Sequence, residues 1–125
     1  MAVTGIGVDV VDVARFQLAR DRHPRILERL FTEGERRDAR GATQRYAARF
    51  AAKEAVMKSL GVGVGSVPWQ SIETVKAPSG APSVRLHGAA AELAARRGVV
   101  RFSLSLTHSD LTAIAMVVAE GDDAR

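Results

Sequence analysis

The stretch Arg49-Phe50-Ala51-Ala52-Lys53-Glu54-Ala55-Val56-Met57-Lys58 decides how the chain is read. Its composition is that of a helix, and at about 100° per residue Tyr46, Phe50, Met57 and Leu60 fall in one apolar stripe. Lys53 lies inside that stripe. The opposite side carries Ala48, Ala51, Ala52, Ala55 and Ser59, small enough for a neighbouring backbone to approach closely. A helix with no freely solvated face is central to its fold. Glu54 and Lys58 stand four apart on one flank and Arg49 on the other, and charges held away from water require partners or a ligand. Glu before Lys at this spacing is also an ordinary stabilising helix pair.

Working outward, Ile6 to Val11 alternates and is rich in β-branched residues, which predicts a strand with Ile6, Val8 and Val10 on one face and Asp9 on the other. Aspartate among apolar neighbours in a strand costs stability unless it is paired or bound. Asp12 to Arg20 reads as a short helix with Asp12 as N-cap, and Pro24 sits in the first turn of another running to Leu30. Arg22, Arg25 and Arg29 then share a face, joined by Arg15 if the two helices are nearly continuous. That stripe suits an acidic surface, or is simply solvated. Thr32-Glu-Gly-Glu35 matches a capping box for a helix running toward Arg40.

The central helix ends at Leu60, and Gly61-Val-Gly-Val-Gly65 follows as C-cap and loop. These glycines come after a helix, so they are no dinucleotide fingerprint. A loop hugging a ligand and a plain loop both fit them. Ser71 to Lys76 and Ser83 to Leu86 flank a turn at Pro78 to Ala81, giving a hairpin. Ala89 to Arg97 is a helix stopped by Gly98. Val100, Phe102, Leu104 and Leu106 alternate with Arg101, Ser103, Ser105 and Thr107, so this strand has one buried and one polar face and ends at His108. Ser109 to Thr112 turns the chain back into an antiparallel strand, Ala113 to Ala119. The expected fold is α+β, an antiparallel sheet packed on the long central helix, as a single domain over residues 1–120 with a loose tail at 121–125.

Composition narrows the function. A chain of 125 residues suits one domain, and no apolar run approaches membrane-spanning length. The N-terminal residues carry no basic-then-apolar leader, so a soluble, cytoplasmic protein is expected. The chain has no cysteine, which excludes disulfides, thiolate nucleophiles and cysteine-held zinc. Any metal must sit on oxygen or imidazole. Residues 1–60 hold 12 Lys and Arg against 8 Asp and Glu, while residues 61–125 hold 6 against 6. The basic surface is therefore N-terminal, and net charge alone admits nucleic acid, an acidic protein or a phosphorylated ligand.

Taken together and in order, Gly5-Ile-Gly-Val-Asp9, the helix from Arg49 through Lys53 and Glu54 to Lys58, Gly61 to Gly65, Ile72-Glu73 and Ser105-Leu-Thr-His108 resemble holo-acyl-carrier-protein synthase, the 4′-phosphopantetheinyl transferase of fatty acid biosynthesis. The likeness runs from about Gly5 to Glu120. It implies transfer of phosphopantetheine from coenzyme A to a serine of apo acyl carrier protein, with release of adenosine 3′,5′-bisphosphate. Asp9 and Glu54 match the family's metal ligands, and Mg²⁺ is suited by one or two carboxylates plus phosphate oxygens and water. Glu54 is also the first candidate for the base assisting the serine, and Lys58 either steadies phosphates or helps proton transfer. Arg49, Lys53, Gly61, Gly63, Thr107 and His108 match positions at coenzyme A, with Arg40 and Ser79 as further candidates for the same pocket. Arg15, Arg22 and Arg25 become the docking face for an acidic carrier protein, and the family's trimers place sites between subunits. Ala81 departs from the usual Gly-Lys-Pro turn, and Trp69 stands where other aromatics are usual. The competing reading, a small basic nucleic-acid-binding module, has one Trp and one Tyr for base stacking and no recognised motif.

Overall fold

The computed structural model describes residues 1–122. The elements run β1 (Ala2–Asp12), α1 (Val13–Arg22), α2 (Ile26–Leu30), α3 (Glu33–Ala39), α4 (Thr43–Ser59), a 3-10 turn at Trp69–Ser71, β2 (Ile72–Lys76), β3 (Pro82–Leu86), α5 (Gly88–Arg96), β4 (Val99–His108) and β5 (Thr112–Gly121). Strands β1, β5 and β4 form an antiparallel sheet in that order, with β5 central, and β2–β3 is a separate hairpin. The α+β architecture expected from the sequence is the one observed.

Helix α4 lies across the sheet with its small side against it. The residues of β1 that meet it are glycines, and a Cβ added to Gly5 or Gly7 would stand 1.9 Å from the carbonyl oxygen of Ser59 or Ala55 respectively. On β5 the inward positions are Ala113, Ala115, Val117 and Ala119, all buried. Helix and sheet thus approach backbone to backbone, which is why alanine dominates that side of α4. The other side is covered by an aromatic cluster: Phe31 lies 5.0 Å from Tyr46, and Phe50 lies 5.0 Å from Trp69, centroid to centroid. Asp12 caps α1 by accepting from the Arg15 amide, and Thr32 and Glu35 form the full capping box of α3.

Ile6, Val8 and Val10 share one face of β1 and Asp9 the other, as expected; that apolar face is the outward one, 70%, 54% and 62% exposed, because the inward register belongs to Gly5, Gly7, Asp9 and Val11. Other expectations are corrected. Val100 does not join the buried face of β4, since a register shift between Val99 and Arg101 turns Val99 inward and leaves Val100 exposed. His23-Pro24-Arg25 separates α1 from α2, so Arg15, Arg22 and Arg25 do not line a continuous helix. Gly121 belongs to β5, paired with Ala2 and Val99, and so is strand where tail was expected; residues 123–125 of that expected tail lie outside the described residues.

Candidate active site

Two clusters of functional side chains flank α4. The first is acidic. The inward register of β1 aims Asp9 at the α4 flank bearing Glu54 and Lys58, and Lys58 Nζ donates to Asp9 Oδ1 and to the Val8 carbonyl, each at 3.0 Å. The Asp9 side chain is 11% exposed and that of Lys58 46%. Burial, reinforced by the charge of Asp9 and opposed by Lys58, raises Glu54 from an ordinary 4.5 to about 7. Two carboxylates therefore share a region with more negative charge than its one neighbouring ammonium relieves. Next to them a groove of about 590 Å³ runs along Val10, Arg15, Phe16, Ile26, Phe50 and Glu54. Beyond Lys58 the helix ends, and Gly61, at φ +74°, lines a second recess with Ser59, Thr4 and Arg97.

The second cluster is basic and lies on the opposite flank. Arg40, Arg45, Arg49, Lys76 and His108 line a recess of about 310 Å³ whose one carboxylate is Asp38. Its walls come from α3, α4, β2 and the end of β4. Arg49 Nη1 donates to the Arg45 carbonyl at 3.2 Å, while its buried Nε has no partner. Burial holds the Arg49 guanidinium below its usual value, with Asp38 and Glu35 opposing that shift. Arg40 is in the left-handed region at φ 51°, a conformation that a side-chain-bearing residue adopts only under constraint. Cations crowded around a cavity with an unpaired buried donor make an anion site.

The sequence-derived candidates divide accordingly. Asp9, Glu54 and Lys58 converge, as do Arg49, His108 and Arg40. Gly61 lies beside Lys58, whereas Gly63 only closes a turn, its carbonyl accepting from Ser66. Thr107 faces the side of β4 opposite to Leu106 and His108, outside the recess. Ser79 is exposed in the hairpin turn, where its hydroxyl accepts from the Ala81 amide, and the neighbouring Gly80 lines the recess instead. Arg15 lines the groove beside Glu54; Arg22 and Arg25 are exposed and stand apart from it, with Arg25 near Glu28 at 3.5 Å.

Lys53 is a correction. It is completely buried, its Nζ donates to Glu35 Oε1 at 2.8 Å, to the Trp69 carbonyl at 3.0 Å and to the Ile72 carbonyl, and it reaches neither cluster. All three of its protons are used inside the protein. Sequence reading missed Arg45 and Lys76 in the recess, although Arg45 stands one helical turn before Arg49. It also took Glu35 as a cap alone, when Glu35 is the buried counter-ion of Lys53.

Residues 5–115 match the sequence profile of the 4′-phosphopantetheinyl transferase superfamily. The chain is 53% identical over 120 residues to holo-[acyl-carrier-protein] synthase of Frankia alni, spanning 96% of this chain and 99% of that one. It belongs to the holo-acyl-carrier-protein synthase family. The synthase of Clavibacter sepedonicus is 49% identical over 122 residues, covering 98% of this chain and 99% of the relative. Among solved structures, Helicobacter pylori holo-[acyl-carrier-protein] synthase in complex with coenzyme A superposes with a TM-score of 0.84 at 32% identity, covering 92% of this chain and 99% of that one. The chain is accordingly an enzyme, a phosphopantetheinyl transferase.

Proposed function

We propose that the chain moves 4′-phosphopantetheine from coenzyme A to a serine of apo acyl carrier protein in a Mg²⁺-dependent reaction that releases adenosine 3′,5′-bisphosphate and serves fatty acid biosynthesis in the cytoplasm. The observation that carries this reading is the convergence of Asp9 and Glu54, from β1 and α4, with Lys58 beside them and a basic recess on the other flank. The solved coenzyme A complex of a relative agrees with such a ligand.

The residues fit a magnesium site. Among the described residues no three His, Cys, Asp or Glu side chains group together. Asp9 and Glu54 would therefore hold the ion together with substrate phosphate and water, the usual manner for Mg²⁺. When bound, the ion supplies charge neutralisation on the phosphoryl group and on the leaving phosphate. The chain's own groups do the rest. Arg49, Arg45, Lys76 and His108 hold phosphate oxygens in fixed positions, which orients the diphosphate. Lys58 offers a cation where negative charge develops. Glu54 accepts the serine proton directly or through a water that it holds. The serine oxygen bonds to the phosphorus bearing pantetheine, and the bond from that phosphorus to the bridging oxygen breaks, leaving its electron pair on adenosine 3′,5′-bisphosphate.

The clusters lie on opposite flanks of α4, one by β1 and one by β4, with β5 between; two strand spacings alone amount to about 10 Å. A complete site is formed when the acidic flank of one copy meets the basic flank of another. The outward apolar row Ile6, Val8, Val10 and Met116 supplies the contact surface, and three copies follow from the family resemblance. The apolar groove edged by Arg15, beside Glu54, receives the acidic carrier protein with its serine directed at the carboxylates. No helix of the described residues is long and apolar enough to cross a membrane. The nucleic-acid alternative loses support: Tyr46 is buried and Trp69 packs against Phe50, so neither offers a stacking platform.

The test is the intact mass of apo acyl carrier protein after incubation with this protein, coenzyme A and Mg²⁺. A gain of about 340 Da that disappears on chelation supports phosphoryl transfer at a metal-assisted centre. No gain with any of several carrier proteins overturns the reading.

A further inference from the structure

Three walls of the basic recess come from elements that share no ladder of backbone hydrogen bonds with one another: α3 with Asp38 and its capping Arg40, α4 with Arg45 and Arg49, and β2 with Thr74, Val75 and Lys76; the end of β4 with His108 supplies the fourth. One side chain bonds to the first three. Glu35 is fully buried, and its Oε1 accepts from the Thr32 amide at the start of α3 (3.0 Å) and from Lys53 Nζ on α4 (2.8 Å). Its Oε2 accepts from the amide of Thr74 on β2 (2.9 Å) and from the Thr74 hydroxyl (3.1 Å). Lys53 completes the bridge by donating to the carbonyls of Trp69 and Ile72, at the entry to the same strand.

A buried ion pair is seldom retained for stability, because desolvation opposes its attraction and apolar replacements of equal volume often do as well. What such a pair gives is a fixed geometry. Removing the charge from Glu35 would leave Lys53 buried and unpaired, and among the described residues no other carboxylate bonds to it. The hairpin is also tied to α3 by the Thr32 hydroxyl, which donates to Glu73 Oε2 at 2.7 Å, and Ile72 is buried in the α4 core; the Glu35 fork of four hydrogen bonds adds a defined orientation to that contact.

We propose that Glu35 is a positioning residue for the coenzyme A phosphates: through Lys53 and Thr74 it sets the spacing between the Arg45–Arg49 wall and the Lys76 wall of the recess. This rests on the transferase reading for the identity of the anion. Glu35 touches no substrate. Its effect reaches the ligand only through where the cations stand, so it governs nucleotide affinity rather than the reacting centre at Asp9 and Glu54.

The test compares wild type, Glu35→Gln and the double variant Glu35→Gln, Lys53→Met. The glutamine retains an acceptor for Lys53 but presents N–H groups to the Thr74 amide, severing the Glu35 bond to β2 while leaving that of Lys53 to the Ile72 carbonyl. The double variant also removes the unpaired charge and keeps the core filled. Circular dichroism and thermal unfolding monitor the fold, isothermal titration gives the Kd for adenosine 3′,5′-bisphosphate, and steady-state kinetics give KM and kcat with coenzyme A and apo carrier protein.

The expected result is a folded double variant whose Kd for the bisphosphate and KM for coenzyme A rise about tenfold, with kcat and the carrier protein KM within about twofold of wild type. A folded double variant with unchanged Kd and KM overturns the proposal. So does one whose kcat falls with KM unchanged, and so does failure of both variants to fold, since the pair then serves the fold as a whole. Wild-type turnover separates the two levels of inference. If wild type binds the bisphosphate but transfers nothing, the transferase reading fails while the binding comparison still decides the role of Glu35.

Discussion

Lys58 Nζ lies 3.0 Å from Asp9 Oδ1, joining residues 49 positions apart in the chain. Strand β1 and helix α4 can place these groups together because glycine on β1 lets the helix backbone descend onto the strand. The ion pair, the raised proton affinity of Glu54 and the glycines of the first strand are parts of one arrangement.

Replacing Asp9 by asparagine removes the neighbouring negative charge that helps raise Glu54. The Glu54 carboxyl should then titrate closer to its ordinary value, as read by carbon-detected NMR, and transfer activity should fall by about 100-fold or more as the proposed oxygen ligand for Mg²⁺ loses its charge. An Asp9→Asn protein with full activity would remove Asp9 from the metal site.

Glu54 is raised from 4.5 to about 7 on folding, so the folded metal-free protein holds a proton that the unfolded chain releases. That contribution to stability is present below the unfolded value and is lost as pH rises through the folded value. Metal-free wild type should therefore lose thermal stability between about pH 4.5 and pH 7 relative to Glu54→Gln, which cannot titrate there. Parallel melting curves across that range would count against the burial of Glu54.

Gly7→Ala forces a methyl group to within 1.9 Å of the Ala55 carbonyl oxygen, backbone against backbone. No side chain can move aside to accept it. The expected loss is about 3 kcal/mol or more, at the upper end of overpacking effects. Denaturant unfolding measures it directly, and a loss below about 1 kcal/mol would mean that helix and strand are not seated this closely.

Ile6→Glu places a charge in the outward apolar row without touching α4. Under the proposed sharing of each site between two copies, light scattering coupled to size exclusion should show a smaller species than wild type, and transfer activity should fall with it by about tenfold or more. A smaller species of undiminished activity would show that one copy holds a whole site.

Much of the fold was legible along the chain, since its signals are local. The alanine side of α4, the Asp12 cap, the Thr32–Glu35 capping box and the turn before β3 all depend on residues within a few positions of one another, and each formed where it was expected. The candidate carboxylates stood out for the same reason: Asp9 among apolar strand residues and Glu54 on a helix packed on all sides.

The sequence by itself determined the α+β class, the central helix, and the charged residues whose types suit phosphate and magnesium. Only the tertiary structure decided which face of β1 is buried, because alternation has no sign until helix backbone and Gly5–Gly7 meet. It also decided that Lys53 is an internal strut and that Arg49 shares its recess with Lys76 and Asp38. Those pairings join α3, α4 and β2 across loops, and no local periodicity encodes the distance between side chains that only packing brings together.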